Sequence, residues 1–398
     1  MRALLFTSYR SLIHSETTGS SRCRILYIIG QLGWGGSERQ LLYLLRELDR
    51  KRYPAHVLVW NYSPDQHHID EIRSISVPIH FFPQGMSSAA KLQGVRRLAQ
   101  SLGPEVIHSF SFFTNFPAYW AALKTSAVAV GSLRGEFAKA KEDSGPLRGR
   151  LSARLPRYQI SNSASAAKAV RVGCGTWSPP HVYVVRNGVD LRRFEYANRC
   201  ERATPSIVGI GSLRSFKRWD IILRVVRHLI SQGHECILTI AGDGPERGSL
   251  ERMTQDLDMQ EYAKFIGTTS DVPELLKQSC LLVHASETEG CPNAVMEAMA
   301  CGRPVVAMEA GDIPLLVEDG KTGFVIRQGD VETFGNRVVR LLSDDDLCHR
   351  MGLAARIKAE REFGLDRLVS ETLAAYMAAG WKDHTTHTSL SSTNDNAT

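Results

Sequence analysis

The chain has 398 residues, 43% of them hydrophobic and 23% charged, with a formal net charge of +6. This length predicts two domains, and the ordinary globular composition excludes wholesale disorder, collagen and coiled coils. Every apolar run is much shorter than the ~20 residues that a transmembrane helix needs, so the sequence predicts no membrane-spanning helix. Polar residues interrupt the apolar start of residues 1–21 before a signal-peptide core forms, and we interpret this stretch as a loose N-terminal extension.

The two halves of the chain carry opposite charge. Residues 1–190 hold 24 Lys and Arg against 12 Asp and Glu, whereas residues 191–398 hold 24 against 30. A basic half favours an anionic partner, such as a membrane surface, a phosphorylated substrate or nucleic acid, although drift in surface composition gives the same asymmetry. The eight cysteines are scattered without a CxxC pair, which favours reduced thiols in the cytosol over disulfides or a zinc site.

Strand-like and helix-like runs alternate, which indicates βα units on parallel sheets. A first helix begins at Ser37, with Ser37 and Gln40 spaced as a capping box. The irregular stretch 192–205 predicts a linker, after which the pattern restarts; residues 331–381 are helical in pattern. The first half predicts strands at 24–29, 55–60, 79–82, 105–110, 127–130, 158–162 and 182–186, and the second half at 207–210, 236–241, 264–266, 281–284, 304–308 and 324–326.

These patterns predict five segments. They are an N-terminal extension at 1–21, a first Rossmann-like domain at 22–190, a second at 191–365, a C-terminal helix at 366–382 that packs back on the first domain, and a disordered tail at 383–398.

A first glycine cluster, Gly30, Gly33, Gly35 and Gly36, joins a predicted strand to a helix. Glycines let a backbone approach a ligand closely, and a helix N-terminus offers unpaired N–H groups and a positive dipole to an anion. The spacing differs from the GxGxxG dinucleotide fingerprint, and Asp49 falls at the end of the helix instead of the second strand, which disfavours an NAD site. A plain tight turn stays an alternative.

A second loop, after the strand at 207–210, carries Gly211, Arg214 and Lys217. Two cations between a strand end and a helix are suited to binding a diphosphate in the crevice outside a parallel sheet. A solvated basic loop is the alternative.

A third stretch, residues 286–304, has two glutamates eight residues apart. Pro292 or Asn293 opens the helix that follows, and Gly302 closes it. Glu289 then lies in the loop over the carboxyl edge of the sheet and Glu297 one turn inside the helix, so both can reach one ligand while the amides of 290–294 face a phosphate.

The run from Glu289 to Pro304 resembles the E-x7-E region of retaining family 4 glycosyltransferases, which have the GT-B fold. Six further stretches resemble the same family in the same order. They are 35–38, 161–163, 185–190, 211–217, 241–246 and 319–324, and the resemblance covers about residues 24–365.

The resemblance implies two Rossmann-like, doubly wound α/β/α domains that face across a cleft, with a nucleotide-diphospho-sugar in the second domain and the acceptor mainly in the first. By this resemblance Lys217 binds the diphosphate, Glu289 orients the donor sugar and Glu297 holds the ribose. No cofactor or metal is expected. The candidate catalytic residues are Glu289, Lys217, Arg214 and His108, and the candidate substrate-binding residues are Gly35, Gly36, Asn187, Gly211, Gly290, Cys291, Pro292, Asn293, Ala294 and Glu297.

Three positions depart from the family pattern. Ser212 stands where many relatives have Arg, Phe110 where many have His, and Leu315 where relatives often have Glu. Arg214 and His108 are the candidate substitutes, although a lone His at the end of a buried strand is more often structural. An impaired or repurposed enzyme therefore remains an alternative interpretation.

The leading hypothesis is a cytoplasmic retaining glycosyltransferase that acts in polysaccharide or glycolipid biosynthesis at the inner face of the membrane. Its acceptor is expected to be lipid-linked or otherwise anionic, with no nucleic acid as partner. Segment 147–157, which has four arginines and three leucines at helical spacing, is either a contact with an anionic leaflet or a packed surface helix. The alternatives are a sugar-nucleotide epimerase, a catalytically silent sugar-nucleotide-binding protein and, least favoured, a dehydrogenase.

Overall fold

A computed structural model describes residues 13–16, 22–33, 35–63, 67–135, 137–173, 177–198 and 204–383. It divides into two compact units, the first comprising residues up to 162, 166–185 and 368 onwards, and the second 163–165 and 186–367. Most of the predicted extension, residues 199–203 of the predicted linker and residues 384–398 of the predicted tail lie outside the described residues.

The first unit contains an eight-stranded sheet in the order β1-β4-β3-β2-β5-β6-β7-β8, parallel except where β1 meets β4. Its inner strands are apolar and buried on both faces, as strands covered by helices on both sides must be. The strands are β1 His14–Glu16, β2 Ile25–Ile29, β3 Ala55–Val59, β4 Ile79–Phe81, β5 Val106–Ser109, β6 Val128–Leu133, β7 Tyr158–Ser161 and β8 His181–Val184.

The helices that flank this sheet alternate with its strands. They are α1 Gly36–Glu47, α2 Ile69–Ser74, α3 Ser88–Leu102, α4 Asn115–Ala122, α5 Phe137–Asp143, α6 Pro146–Arg154 and α7 Ala164–Gly173. Most of a late helix, labelled α15 below, also belongs to this unit, where its Tyr376 hydroxyl lies 2.7 Å from Nδ1 of His108.

The second unit contains a six-stranded, fully parallel sheet in the order β11-β10-β9-β12-β13-β14. Its strands are β9 Ser206–Ile210, β10 Ile237–Ala241, β11 Ala263–Gly267, β12 Leu281–His284, β13 Val305–Met308 and β14 Gly323–Ile326. The helices are α8 Trp219–Ser231, α9 Arg247–Asp256, α10 Val272–Lys277, α11 Asn293–Ala300, α12 Ile313–Leu316, α13 Val331–Ser343 and α14 Asp345–Glu362, with α15 at Leu365–Ala378.

Both sheets confirm the predicted doubly wound α/β class. In each, the first parallel strand, β2 or β9, has the second strand on one side and the fourth on the other. The loops after the first and fourth parallel strands therefore meet at a topological switch point, which is where open α/β sheets bind ligands.

Three local predictions are wrong. Residues 14–16 pair with β4 and are not a loose extension. The expected capping box at Ser37 does not form, because α1 begins one residue earlier with Gly35 as its N-cap and no side chain caps it. Asp383, the first residue of the predicted disordered tail, is ordered, because its carboxylate accepts hydrogen bonds from Arg24, Arg52 and Tyr53 at 2.7–3.2 Å.

None of the helices in the described ranges is both long and apolar enough to cross a membrane. None of the six cysteines in those ranges forms a disulfide with another of them, and burial raises the pKa of the Cys23, Cys291 and Cys301 thiols to about 12. Cys174 and Cys200 lie outside the described residues.

Candidate functional site

The main candidate site lies at the carboxyl edge of the second sheet, where the loops after β9 and β12 carry Lys217 and Glu289. The two strands pair directly, Leu281 with Ile207 and Leu282 with Val208. Residues 72 positions apart in the sequence are thereby brought to one place, and Lys217 Nζ lies 2.5 Å from Glu289 Oε1.

Backbone and side-chain contacts hold these two loops together. The Glu287 amide donates to the Phe216 carbonyl oxygen at 2.8 Å, and the Ser286 hydroxyl donates to the same oxygen at 3.3 Å. The Trp219 indole N–H donates to the Ser212 carbonyl at 3.0 Å, which anchors the start of the first loop. These contacts fix the backbone of the Lys217 loop relative to the backbone of the Glu289 loop.

His284, the last residue of β12, completes the group. Its Nε2 lies 2.9 Å from Glu289 Oε1, and the side chains of His284, Glu289 and Lys217 are 5%, 11% and 15% exposed. The sequence indicated only a strand here, because a histidine at the end of a buried strand is usually structural. The only available signal was that this strand leads into the loop of Glu289.

The Glu289 carboxylate is strongly stabilised as an anion. Burial raises its pKa, but the hydrogen bonds from His284 and Lys217 and their electrostatic attraction for the carboxylate outweigh that effect and lower the pKa from 4.5 to about 2. At neutral pH Glu289 is therefore a hydrogen-bond acceptor and cannot supply a proton.

Gly311 supports the Glu289 loop from the other side. It has φ of +53°, and a side chain there would overlap the backbone oxygens of Glu289 and Gly290. The Asp312 amide donates to the Gly290 oxygen at 3.0 Å. Only glycine suits both the left-handed conformation and this close approach.

The start of α11 is prepared for an anion. Pro292 is its N-cap and Asn293 its first residue, and these are the two residues predicted to open the helix. The first turn has neither a side-chain cap nor an acidic residue. The side-chain Nδ2 of Asn187 donates to the Cys291 carbonyl oxygen at 3.1 Å and to Asn293 Oδ1 at 2.8 Å, which fixes this turn. The amides of Asn293 and Ala294 thus retain the unpaired N–H groups and positive dipole that favour phosphate.

Two further predicted residues lie beside Lys217. A side chain at Gly211 would reach within 3.8 Å of Lys217 Nζ, so the glycine keeps the space beside the ammonium group open. Arg214 is exposed, and its guanidinium forms no hydrogen bond or ion pair with any described residue. Both are compatible with binding a diphosphate.

The predicted ribose ligand, Glu297, is only 3% exposed in the second turn of α11. Its neighbours Met296 and Ala298 belong to the apolar core. A contact between Glu297 and a ribose stays a prediction.

In the first unit, the glycine loop was expected to let the backbone approach a ligand, but a side chain covers it. The Glu38 carboxylate folds over Gly35, where a side chain would overlap it. Burial raises the pKa of Glu38, although its own backbone N–H and Arg134 oppose that effect. A phosphate near Gly35 and Gly36 would therefore meet a carboxylate, which the sequence patterns did not predict there.

His108 is 1% exposed, with Nδ1 at 2.7 Å from the Tyr376 hydroxyl and Nε2 at 3.4 Å from the Ser132 hydroxyl. Burial lowers its pKa well below the ordinary value. This geometry favours the structural alternative over a catalytic role. Phe110, for which the resemblance implied His, is buried edge-on against Tyr27.

Among the described residues, one group could hold a metal ion: His67, His68 and Glu71, whose ligand atoms lie within 4.8 Å of one another. The His68 Nδ1 to Glu71 Oε1 distance is 2.8 Å. We give this group no part in the site, and the expectation that no metal is required stays a prediction.

The fold and this site define an α/β protein with two Rossmann-like units and a candidate phosphate site at a switch point. Two family models match it, Glycosyltransferase Family 4 over residues 34–193 and Glycosyl transferases group 1 over residues 199–358. Together they span most of the chain, and the protein belongs to glycosyltransferase family 4.

Curated relatives match over part of their length. N-acetyl-alpha-D-glucosaminyl L-malate synthase of Bacillus anthracis is 28% identical over 49% of this chain and 50% of its own. UDP-Gal:alpha-D-GlcNAc-diphosphoundecaprenol alpha-1,3-galactosyltransferase of Escherichia coli is 26% identical over 50% of this chain and 54% of its own. The chain thus spans about half the length of these relatives.

Among solved structures, that of Anabaena HepE in complex with UDP and glucose covers 90% of this chain and 100% of its own, with a TM-score of 0.75 and 20% identity. This likeness confirms the GT-B fold.

Proposed function

We propose that the protein transfers a sugar from a nucleotide-diphospho-sugar to an acceptor, with retention of anomeric configuration, in polysaccharide or glycolipid biosynthesis. The observation that carries the proposal is the juxtaposition of Lys217, Glu289 and the uncapped start of α11 at one switch point. The family membership and the UDP bound to HepE support it.

The site suits the leaving group of such a transfer. When the bond between the sugar C1 and the diphosphate breaks, negative charge grows on the departing phosphate, and Lys217, Arg214 and the α11 amides stabilise it. A bond from C1 to the acceptor oxygen forms on the same face, and the acceptor proton passes to the leaving phosphate. The Glu289 carboxylate orients a sugar hydroxyl and is not the nucleophile, since an ion-paired and strongly hydrogen-bonded carboxylate is a poor one.

The acceptor is lipid-linked or otherwise anionic in this proposal, and the protein works at the inner face of a membrane. In the first unit, α6 exposes Arg148, Arg150 and Arg154 and leaves Leu147 68% exposed. Each basic residue near an anionic leaflet contributes about 1 kcal/mol. Sedimentation with anionic and with neutral vesicles tests this: the Arg148→Gln/Arg150→Gln variant should lose binding to anionic vesicles, and equal binding by variant and parent would contradict it.

The decisive experiment for the activity is a transfer assay with labelled nucleotide-sugars, an acceptor panel and a chelator, with Lys217→Met and Glu289→Gln as site variants. The proposal predicts acceptor-dependent release of nucleoside diphosphate that both variants reduce and the chelator does not. Donor consumption without any acceptor would favour an epimerase. Donor binding without turnover across the panel would favour a silent binding protein.

A further inference from the structure

His284 is held rigidly at the centre of the second sheet. Its strand β12 lies between β9 and β13, and His284 itself is paired in register with Ala307. The side chain is 5% exposed, and its only hydrogen bond among the described residues joins Nε2 to Glu289 Oε1. Sequence patterns alone indicate no role for it.

The two N–H donors that hold Glu289 act on the same oxygen. Lys217 Nζ and His284 Nε2 lie 2.5 Å and 2.9 Å from Oε1. In the described part of the chain, no hydrogen-bond partner is found for Oε2. A carboxylate accepts hydrogen bonds on both oxygens, so Glu289 is anchored through one oxygen and has the other available for a ligand.

The two anchors differ in what a bound diphosphate does to them. The Lys217 ammonium group is a point charge on a flexible side chain, and a diphosphate attracts it. When the donor binds, its diphosphate therefore competes with the Glu289 carboxylate for this ammonium group. The His284 ring is fixed by the strand and faces no such competition. Of the two, only His284 can keep Glu289 in place once Lys217 has turned to phosphate.

We propose that His284 is a positioning residue: it anchors Glu289 Oε1 so that Oε2 is presented to a hydroxyl group of the donor sugar. The proposal rests on the proposed function and deepens it. It separates the two parts of the donor, because Lys217 serves the diphosphate and the His284–Glu289 pair serves the sugar.

The test compares His284→Leu, which removes the N–H donor, with His284→Gln, which keeps one at a similar reach. Loss of one charge-assisted hydrogen bond should reduce kcat/KM for the nucleotide-sugar about tenfold in His284→Leu, while UDP binds within about twofold of the parent. His284→Gln should recover most of the loss. His228→Leu, a matched change on the exposed face of α8, should behave as the parent.

A double variant separates positioning from packing. His284→Leu/Glu289→Gln should be no worse in kcat/KM than Glu289→Gln alone, since the histidine acts through the glutamate. Additive losses, an equal loss of UDP affinity in His284→Leu, or no rescue by His284→Gln would overturn the inference. If His284→Leu does not fold, the test uses kcat/KM and UDP affinity of His284→Gln and of the double variant His284→Gln/Glu289→Gln.

The failure of this inference is distinguishable from failure of the proposed function. If the parent protein binds a nucleotide-sugar more tightly than UDP, His284→Leu must lose that extra affinity whether or not transfer is detected. If the extra affinity persists in the variant, only the role of His284 is refuted. If the parent binds no nucleotide-sugar, the proposed function fails and this inference fails with it.

Discussion

Replacing Lys217 alone and replacing Glu289 alone should change the affinity for a nucleoside diphosphate in opposite directions. Lys217→Met removes an ammonium group aimed at the diphosphate and leaves the Glu289 charge beside it. A hydrogen bond to a charged group contributes about 1.5 to 3 kcal/mol, so UDP should bind about 10- to 150-fold more weakly. Repulsion by the uncovered Glu289 carboxylate, which His284 still hydrogen-bonds, adds to this loss.

Glu289→Gln should have the opposite effect on the same ligand. The carboxylate holds Lys217 at 2.5 Å and so competes with phosphate for it. The Glu289 carboxylate also repels the bound diphosphate; for two like charges ~8 Å apart this costs on the order of 2 kcal/mol at an effective dielectric of about 20. Screening and relaxation remove part of this repulsion. Without the carboxylate, UDP should therefore bind at least about threefold more tightly. Turnover of the nucleotide-sugar should nevertheless fall, because the sugar contact is lost.

Isothermal titration with UDP, and with GDP and ADP for comparison, measures both effects. Lys264→Met on β11 and Glu332→Gln on α13 are matched controls, since both side chains are exposed and lie outside the proposed site. The reasoning is refuted if Lys217→Met binds UDP within twofold of the parent, or if Glu289→Gln weakens UDP binding as much as Lys217→Met does.

Three further outcomes concern stability. Because the pKa of Glu289 is lowered from 4.5 to about 2, its charge stabilises the folded protein above pH 4.5 and this contribution disappears as the pH falls towards 2. The parent should therefore exceed Glu289→Gln in unfolding free energy by up to about 3 kcal/mol at pH 7, and by about 1 kcal/mol less at pH 4, in urea titrations; an advantage independent of pH would contradict this. Gly311→Ala should lower the melting temperature more than Gly320→Ala and weaken UDP binding, since both have left-handed φ but only Gly311 faces backbone oxygens; equal effects would argue against the loop contact. Tyr376→Phe should lower the free energy of unfolding by about 1 kcal/mol, because it removes the hydrogen-bond partner of His108 Nδ1, and should leave UDP affinity unchanged. A loss of UDP affinity would return His108 to the candidate site.

The sequence predicted the two parallel sheets because buried parallel strands are apolar runs of limited length. It also predicted that Lys217 and Glu289 belong to one site. In a doubly wound sheet the first and fourth strands are neighbours, so loops that are distant in sequence meet there.

The sequence could not predict features that depend on a single long-range contact. The strand at 14–16 is three residues long and exists through its pairing with β4. Asp383 is ordered by Arg24, Arg52 and Tyr53, which lie more than 300 positions away.

The same limit applies within the site. The place of Glu38 over Gly35 and the place of His284 beside Glu289 are set by side-chain packing, on which periodicity and spacing carry no information.

The most direct measurement of the central claim is a crystal structure with a bound nucleoside diphosphate. The account predicts the diphosphate at the carboxyl edge of the second sheet, with its oxygens within hydrogen-bond distance of Lys217 Nζ and of the amides of Asn293 and Ala294. A diphosphate bound elsewhere, with the Lys217–Glu289 pair unchanged and the α11 amides uncontacted, would contradict it.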